Sequence, residues 1–463
     1  MQVFWHRRDL RIPDNVGLSI AARDGTVLPV FVVDGDVLAG VGKRQRSFFL
    51  AGVRALRERY RSFGSDLVVR SGDPADVLPE VATGVDADRV VWNDHYRPER
   101  RNRATEVRDA LAAEGVDTDS RTDHVLVSPD RLDSRYPTHG AFYSDWQEVP
   151  KSSPFDPDTD AFAPVEDDTS VPVPEVDIDL PAAGYEAARE RFDGFLDTAI
   201  YSYDDTRDDM AAAVERPTRS VSRMSPYLAA GMIGVRELWA AASEVYDAVH
   251  GRERKNVDKY RYELSWREHN YHLLSHNPNL ASVNYQTFPN EIQWREGEDA
   301  AADFEAWKAG ETGYPFVDAG MRQLNEEGYV HNRPRQIVAS FLTKHLLIDW
   351  RLGARYFTKQ LLDHDPASNH GNWQWIASTG TDSVDVRIFD PVSQMSKYDD
   401  GADYVTTYVP ELDGVPPGKI VDWPTLSRQE RESLAPDYGH PIVDRNHGWE
   451  RAERVFEEAL GKR

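Results

Sequence analysis

The sequence predicts an α/β N-terminal domain with a doubly wound parallel sheet, followed by an all-α C-terminal domain. Three observations predict it. Short apolar runs alternate with amphipathic helical segments through the first third of the 463 residues; a stretch rich in proline and aspartate follows; beyond it the text is helical and aromatic, with no strand-like alternation.

Strands are read at residues 3–5, 27–33, 67–69 and 89–92. Between the second and third, residues 44–63 place Phe49, Val53, Leu56, Tyr60 and Phe63 at helical spacing, an apolar stripe that packs on a sheet. Such βαβ alternation requires parallel strands, and it ends near Ser128. Gly40-Val41-Gly42 is the one hint of a dinucleotide fingerprint, but Gln45 breaks the pattern and no strand runs straight into it, so no nucleotide site is read there. Residues 150–181 hold seven prolines and seven aspartates with few large apolar side chains, and read as a solvated connector. The expected organisation is an α/β domain over 1–130, a linker over 131–183 and a helical domain over 184–463, with no internal repeat.

Lys and Arg total 54 against 79 Asp and Glu, a net charge of −25. Twelve Trp, 20 Tyr and 17 Phe in a chain that is 40% hydrophobic exclude disorder in spite of that charge. The acidic residues are spread along the whole chain and Arg outnumbers Lys, a pattern of adaptation to high salt, where screening shrinks repulsion to a few Å. Net charge therefore does not exclude a nucleic acid held by a local basic patch. There is no cysteine, which excludes disulfides, thiolate metal sites and thiol catalysis; redox chemistry has to run on a bound cofactor or on aromatic side chains. No run approaches the apolar length of a membrane span and Met1 to Asp9 hold no apolar signal core, so a cytoplasmic protein without a membrane partner is expected.

Most tryptophans fall in the helical part, where core packing accounts for any single one. Trp373-Gln374-Trp375 resists that reading: two indoles two positions apart on a helix point about 200° from each other, one toward an interior cofactor and one toward a cavity mouth. Glu263, Trp266, Arg267 and Asn270 share one helical stripe in the segment from Tyr260 to Ser275. It suits a polar pocket with an aromatic wall; an exposed face with a Glu263–Arg267 pair is the other reading. His331-Asn332-Arg333-Pro334-Arg335-Gln336 precedes apolar residues 337–347 and belongs where a helix begins. Asp363-His364-Asp365 is able to pair with one of its arginines across a ligand. The pairs His269/His272 and His364/His370 raise a metal, but HExxH and cysteine patterns are lacking and no metal site is expected.

Longer stretches resemble the photolyase/cryptochrome family. They are "VFWHRRDLRIPDN" at the start, "SRMSPYLAAG" (222–231), "ELSWRE" (263–268), "HNRPRQIVASFLTKHLLIDWRLGARYF" (331–357), "NHGNWQWIASTGTD" (369–382), "RIFDPVSQ" (387–394) and "HPIVD" (440–444). Within the family they are most similar to class I cyclobutane pyrimidine dimer DNA photolyases of haloarchaeal type. The resemblance implies an α/β antenna domain linked to a helical FAD-binding domain, and a monomer that acts on UV-damaged DNA. Carried over position by position, Tyr203, Ser222, Arg223, Met224 and Ser225 are implied at the FAD phosphates. Tyr260, Glu263, Trp266, Arg267, Asn270, Arg335, Asp363, Asp365 and Asn369 are implied around the rest of the cofactor, with Asn369 beside flavin N5. Trp266 and Trp375 would wall the lesion pocket and Glu263, Asn332 and Gln336 meet the lesion, while Arg207, Arg267, Arg333 and Arg387 match phosphate-contacting positions. Excited reduced FAD is implied to pass an electron to the cyclobutane ring, which splits and returns it, so Glu263 and Asn369 count as catalytic without any general base. Trp373, Trp350 and Trp294 match the indole chain that reduces oxidised flavin under light.

Departures mark particular positions. Gln336 stands where most class I enzymes carry Met and DASH-type relatives carry Gln; Val221 replaces a Thr; His269-Asn270 replaces Phe-Tyr; Asp385-Val386-Arg387 is one residue short of the pattern. Glu99-Arg100 stands where folate-binding relatives have Asn-Glu, which favours 8-hydroxydeazaflavin over methenyltetrahydrofolate as a second, antenna chromophore. The alternative function is a cryptochrome-type blue-light photoreceptor without repair; plant and insect types differ from Asn369 at that position. A photolyase for 6-4 photoproducts needs a His pair that His331-Asn332 with Gln336 lacks.

Overall fold

The computed structural model describes residues 1–382 and 386–462; Asp385, part of the shortened motif, lies outside the described residues. Five parallel strands, β1 (Gln2–His6), β2 (Val27–Val33), β3 (Val68–Ser71), β4 (Arg89–Asn93) and β5 (Asp117–Arg121), form one sheet in the order β3-β2-β1-β4-β5. Val3 pairs with Leu28 on one side and Val90 on the other. Alternate side chains feed two cores. Phe4, Phe31, Val69 and Val91 face α1 (Val16–Asp24) and α2 (Lys43–Ser62), while Val3, Trp5, Val30 and Val90 face α3 (Pro74–Gly84) and α4 (Pro98–Ala113). Burial on both faces is why β1, β2 and β4 read as unbroken apolar runs. β5, Asp-Thr-Asp-Ser-Arg, is a partly exposed edge strand without an apolar signature.

On α2 the buried stripe is Phe48, Val53, Leu56 and Tyr60. Phe63, expected in it, is 40% exposed because the helix ends at Ser62. Gly42, which caps α2, answers to packing: a Cβ there would overlap the Lys359 carbonyl of a helix from the C-terminal half.

The connector is not the solvated tether its composition suggests. Phe162, Ala163 and Val171 are buried, the Ala163 amide donates to the Val27 carbonyl (2.8 Å), and buried Asp167 accepts the Val69 amide (2.8 Å) and Arg70 (2.8 Å). Its few apolar residues fall where β2 and β3 need a cover, so the strap shields a sheet edge.

The helices that carry the site are α5 (His139–Glu148), α6 (Ser225–Ala230), α7 (Gly251–His276), α8 (Asn332–Ser340), α9 (Trp350–Gln360) and α10 (Pro366–Ala377). His331 caps α8 by accepting the Arg333 amide, and Asp365 caps α10 by accepting the Ser368 amide. Among the described residues no helix is long and apolar enough to cross a membrane, and no group of three His, Asp or Glu residues is placed to hold a metal.

Glu268 of α7 stitches this half to the sheet domain by accepting the amides of Leu126 (2.8 Å) and Val127 (3.1 Å). Burial pushes its carboxyl up to about 7, so the fold favours the neutral acid. That contribution is complete below the ordinary value of 4.5 and is lost as pH rises through about 7. Relative to Glu268→Gln, the parent chain is expected to lose about 3 kcal/mol of stability over this window. Paired urea titrations from acid to neutral pH measure it, and a constant difference between the two proteins would remove Glu268 as the titrating group.

Candidate active site

Two adjoining cavities in the helical half share Ser225, Tyr329 and Asn332. Tyr203, Arg207, Ser222, Arg223, Met224 and Glu263 line the first; Arg335, Gln336, Asp363, Asn369, Trp373 and Trp375 line the second. Residues 222–224 form the turn into α6, where Arg223 takes a left-handed φ of 48°, costly for a non-glycine residue and met most often at functional sites. Glu327 holds the Arg223 guanidinium at 2.8 Å, over the Tyr329 ring.

Glu263 accepts from Arg207 (2.6 Å) and Lys259 (2.8 Å), so the Glu263–Arg267 pairing is not formed. Arg267 donates instead to the His124 carbonyl (2.8 Å) and covers Tyr271. Tyr260 is buried edge-on against Tyr203, 5.4 Å between ring centroids. Asn270 is wedged against Gly371 of α10, where a Cβ would overlap its amide oxygen. Asp365 lies under α10, bound by Arg8 (3.0 Å) and the Tyr271 hydroxyl (2.7 Å); against the cost of burial, Arg8 holds its carboxyl well below the usual carboxylate range. Arg267, Tyr260, Asn270 and Asp365 brace the cavities from behind, and neither they nor Trp266, also expected at the cofactor, line them.

At the floor of the second cavity Asp363 pairs with Arg335 (3.2 Å). The Asn369 amide donates to the Ala354 carbonyl (3.0 Å) and the Thr358 hydroxyl (3.3 Å). Because a carbonyl only accepts, the amide orientation is fixed and its oxygen is left for a ligand. Trp373 is 3% exposed, and Trp375 stands half-buried at the mouth with Arg387 3.6 Å over its ring. Trp266 and Trp375 stand nearly perpendicular, 6.1 Å between ring centroids. Gln336 accepts from Arg333 (3.0 Å), which pairs with Asp208 (2.5 Å).

Among the described residues the indole in ring contact with Trp373 is Trp307 (6.2 Å), beside Phe357 (5.1 Å). Trp350 is buried in the same cluster and donates to Asn284 (3.0 Å); Trp294 packs on Phe456 (5.8 Å) beside a polar surface groove. Asp208, Glu327, Tyr329 and Trp307 are site neighbours that sequence reasoning did not assign. Asp208 and Tyr329 come from short connections with no periodic pattern, Glu327 is the last residue of the helix Pro315–Glu327, and Trp307 reads as an ordinary core tryptophan.

A second crevice opens at the C-terminal ends of β1 and β2. Trp5, Phe31, Phe48 and Phe49 wall it, with Arg7, Arg8, Arg97, Arg100 and Arg103 around them. Arg103 pairs with Asp34 and Arg8 with Asp365, but among the described residues Arg7 and Arg100 have no ion-pair partner. Arg7 Nη1, Arg8 Nη2 and Arg100 Nε are buried and unpartnered, and burial pushes Arg7 down to about 10. Buried cations in such excess call for an anionic ligand.

Residues 260–458 match the family model described as the FAD binding domain of DNA photolyase, so the helical half is an FAD-binding domain. With residues 2–160 matching the DNA photolyase model, the chain belongs to the DNA photolyase family. It is 44% identical to the deoxyribodipyrimidine photo-lyase of Halobacterium salinarum, covering 100% of both chains. The solved bacterial class III photolyase of Agrobacterium tumefaciens superposes with a TM-score of 0.89 at 33% identity, covering 100% of this chain and 98% of that one. The archaeal photolyase of Sulfolobus tokodaii, described with two FAD molecules, gives 0.83 at 29% identity over 99% of each chain. The residues present fit FAD: Arg223 Nε, Arg335 Nε and His331 Nε2 are buried without protein partners beside the hydroxyls of Ser222 and Ser225.

Proposed function

We propose that this chain repairs cyclobutane pyrimidine dimers in DNA under light. One observation carries the reading: the cavity that holds Asn369 and Trp373 at its floor opens, without a break, at Trp375 and Asn332. A lesion at that mouth lies against the cofactor cavity. Bound FAD, reduced and excited by light, supplies the electron that opens the cyclobutane ring and takes it back.

The protein's own residues do the rest. Ser222, Arg223 and Ser225 bind the cofactor phosphates, and the Asp363–Arg335 pair orients its polar edge. The Asn369 oxygen offers an acceptor suited to a protonated flavin N5. Trp375 stacks on the dinucleotide flipped out of the duplex, Gln336 and Asn332 meet its edges, and Arg387 and Arg333 take neighbouring phosphates. The arginine-lined crevice is the place for a second, light-harvesting chromophore. Its unpartnered guanidinium groups suit an anionic chromophore, and the choice of 8-hydroxydeazaflavin over methenyltetrahydrofolate rests on Glu99-Arg100 in the sequence.

The test is repair itself: reduced protein, an oligonucleotide with one thymine dimer, and blue light beside a dark control. Restored thymines in the light sample alone are expected. Bound FAD without repair would leave the blue-light receptor reading. Trp375→Ala is expected to weaken dimer binding by about 1–3 kcal/mol, the loss of one base stack, with FAD retained. Unchanged affinity in a gel-shift titration would remove Trp375 from the pocket.

A further inference from the structure

His139 belongs to neither cavity and no spacing in the sequence links it to one, yet its imidazole lies flat on Trp266, 3.7 Å between ring centroids and 7° between planes. His139 is 1% exposed and clamped to the helix that carries Trp266. Its Nδ1 meets the Tyr262 hydroxyl at 3.1 Å and its Nε2 the Ser265 hydroxyl at 3.0 Å. Burial pushes the imidazole down to about 3, so a neutral ring makes the stack. The same segment grips the loop beyond Trp375: the His139 amide donates to the Asp382 carboxylate (3.2 Å), the Asp382 amide to the Pro137 carbonyl (3.1 Å), and Arg387, over Trp375, reaches the Asp382 carbonyl (3.4 Å).

We infer that His139 is a positioning residue for lesion recognition, which sets the plane of Trp266 and its spacing to Trp375. An indole has two faces. His139 occupies one, and Trp375 stands nearly perpendicular to the ring at 6.1 Å without stacking on it, so only the face opposite His139 is left to stack on a base, at an orientation fixed from behind. Without the imidazole, the indole is free to tip into the space behind it and loses coplanarity with a stacked pyrimidine. The contact also gives the strap between the domains a function: residues 137–139 tie both tryptophan walls to one short segment. This inference rests on Trp266 acting as a lesion wall in the proposed repair reaction.

The test uses the FAD-loaded full chain with three variants, His139→Ala, His139→Phe and Trp266→Ala, titrated with an oligonucleotide carrying one thymine dimer and with its undamaged counterpart. His139→Ala is expected to weaken dimer binding about three- to tenfold, the loss of one aromatic pair, while undamaged DNA binds as before. KM rises by the same factor, whereas kcat at saturating dimer, FAD content and flavin photoreduction stay within twofold. His139→Phe keeps a flat ring and is expected to recover most of the affinity, and it keeps the question open to experiment where the alanine variant folds poorly. Parent-like dimer binding by His139→Ala beside weakened binding by Trp266→Ala would overturn the positioning role. Parent-like binding by Trp266→Ala would overturn it one step earlier, with the assignment of Trp266 as a wall. An equal loss for damaged and undamaged DNA would also overturn it, because a general structural fault produces that result.

Discussion

Trp373→Phe is expected to abolish light-driven reduction of the oxidised flavin while leaving repair by chemically reduced protein intact. Trp373 lines the second cavity with Asn369 on one helix and is itself 3% exposed, which under the proposed function makes it the indole that hands an electron to the flavin. A phenyl ring preserves most of the packing against Phe357 and Trp307 but is far harder to oxidise, so the substitution removes the donor and little else. Repair draws its electron from flavin already reduced and does not use this path. The measurement is the bleaching of flavin absorption under blue light with an external reductant, beside repair after dithionite reduction; normal bleaching would place the path elsewhere. The next donor is decided the same way. The family resemblance implies Trp350, whereas ring contact favours Trp307, and Trp350→Phe and Trp307→Phe compared on the same assay separate them.

The fold and much of the site were legible in the sequence because their signals are local. β1, β2 and β4 announce themselves through two-sided burial, α2 through its stripe, and α8 through the residues that open it. What stayed hidden depends on contacts far apart in the chain. β5 is polar because it is an edge; Asp167 covers that sheet from the linker; His139 meets Trp266 across 127 positions, with no periodicity to reveal it. The helical stripe of Glu263, Trp266, Arg267 and Asn270 shows the limit within a single element. Spacing places all four on one side of α7, but Lys259, Arg207 and the His124 carbonyl decide which cavity, helix or domain each side chain meets.

Asp123→Asn is expected to cost about 3–5 kcal/mol of stability, the loss that follows when one partner of a buried ion pair is removed. Asp123 lies just beyond β5 and accepts from Arg11 (2.6 Å) and from Arg236 of the helical half (2.6 Å), while Asp14 takes the second edge of Arg236 (2.6 Å). All four side chains are at most 4% exposed, so two cations and two anions balance in a region that water does not reach. Against the cost of burial, Arg11 and Arg236 hold Asp123 well below the usual carboxylate range, whereas burial pushes Asp14 up to about 6. Asp123 is thus the principal counter-charge, and its amide leaves two buried guanidinium groups on one weaker partner. Asp14→Asn is expected to cost less for the same reason. Urea unfolding followed by tryptophan fluorescence gives both losses. Repeating it at high and low salt adds a control, since screening acts on exposed charges and leaves a buried loss unchanged. A loss under about 1 kcal/mol for Asp123→Asn, or one that vanishes in high salt, would mean that the cluster behaves as a surface pair and does not clamp the two halves together.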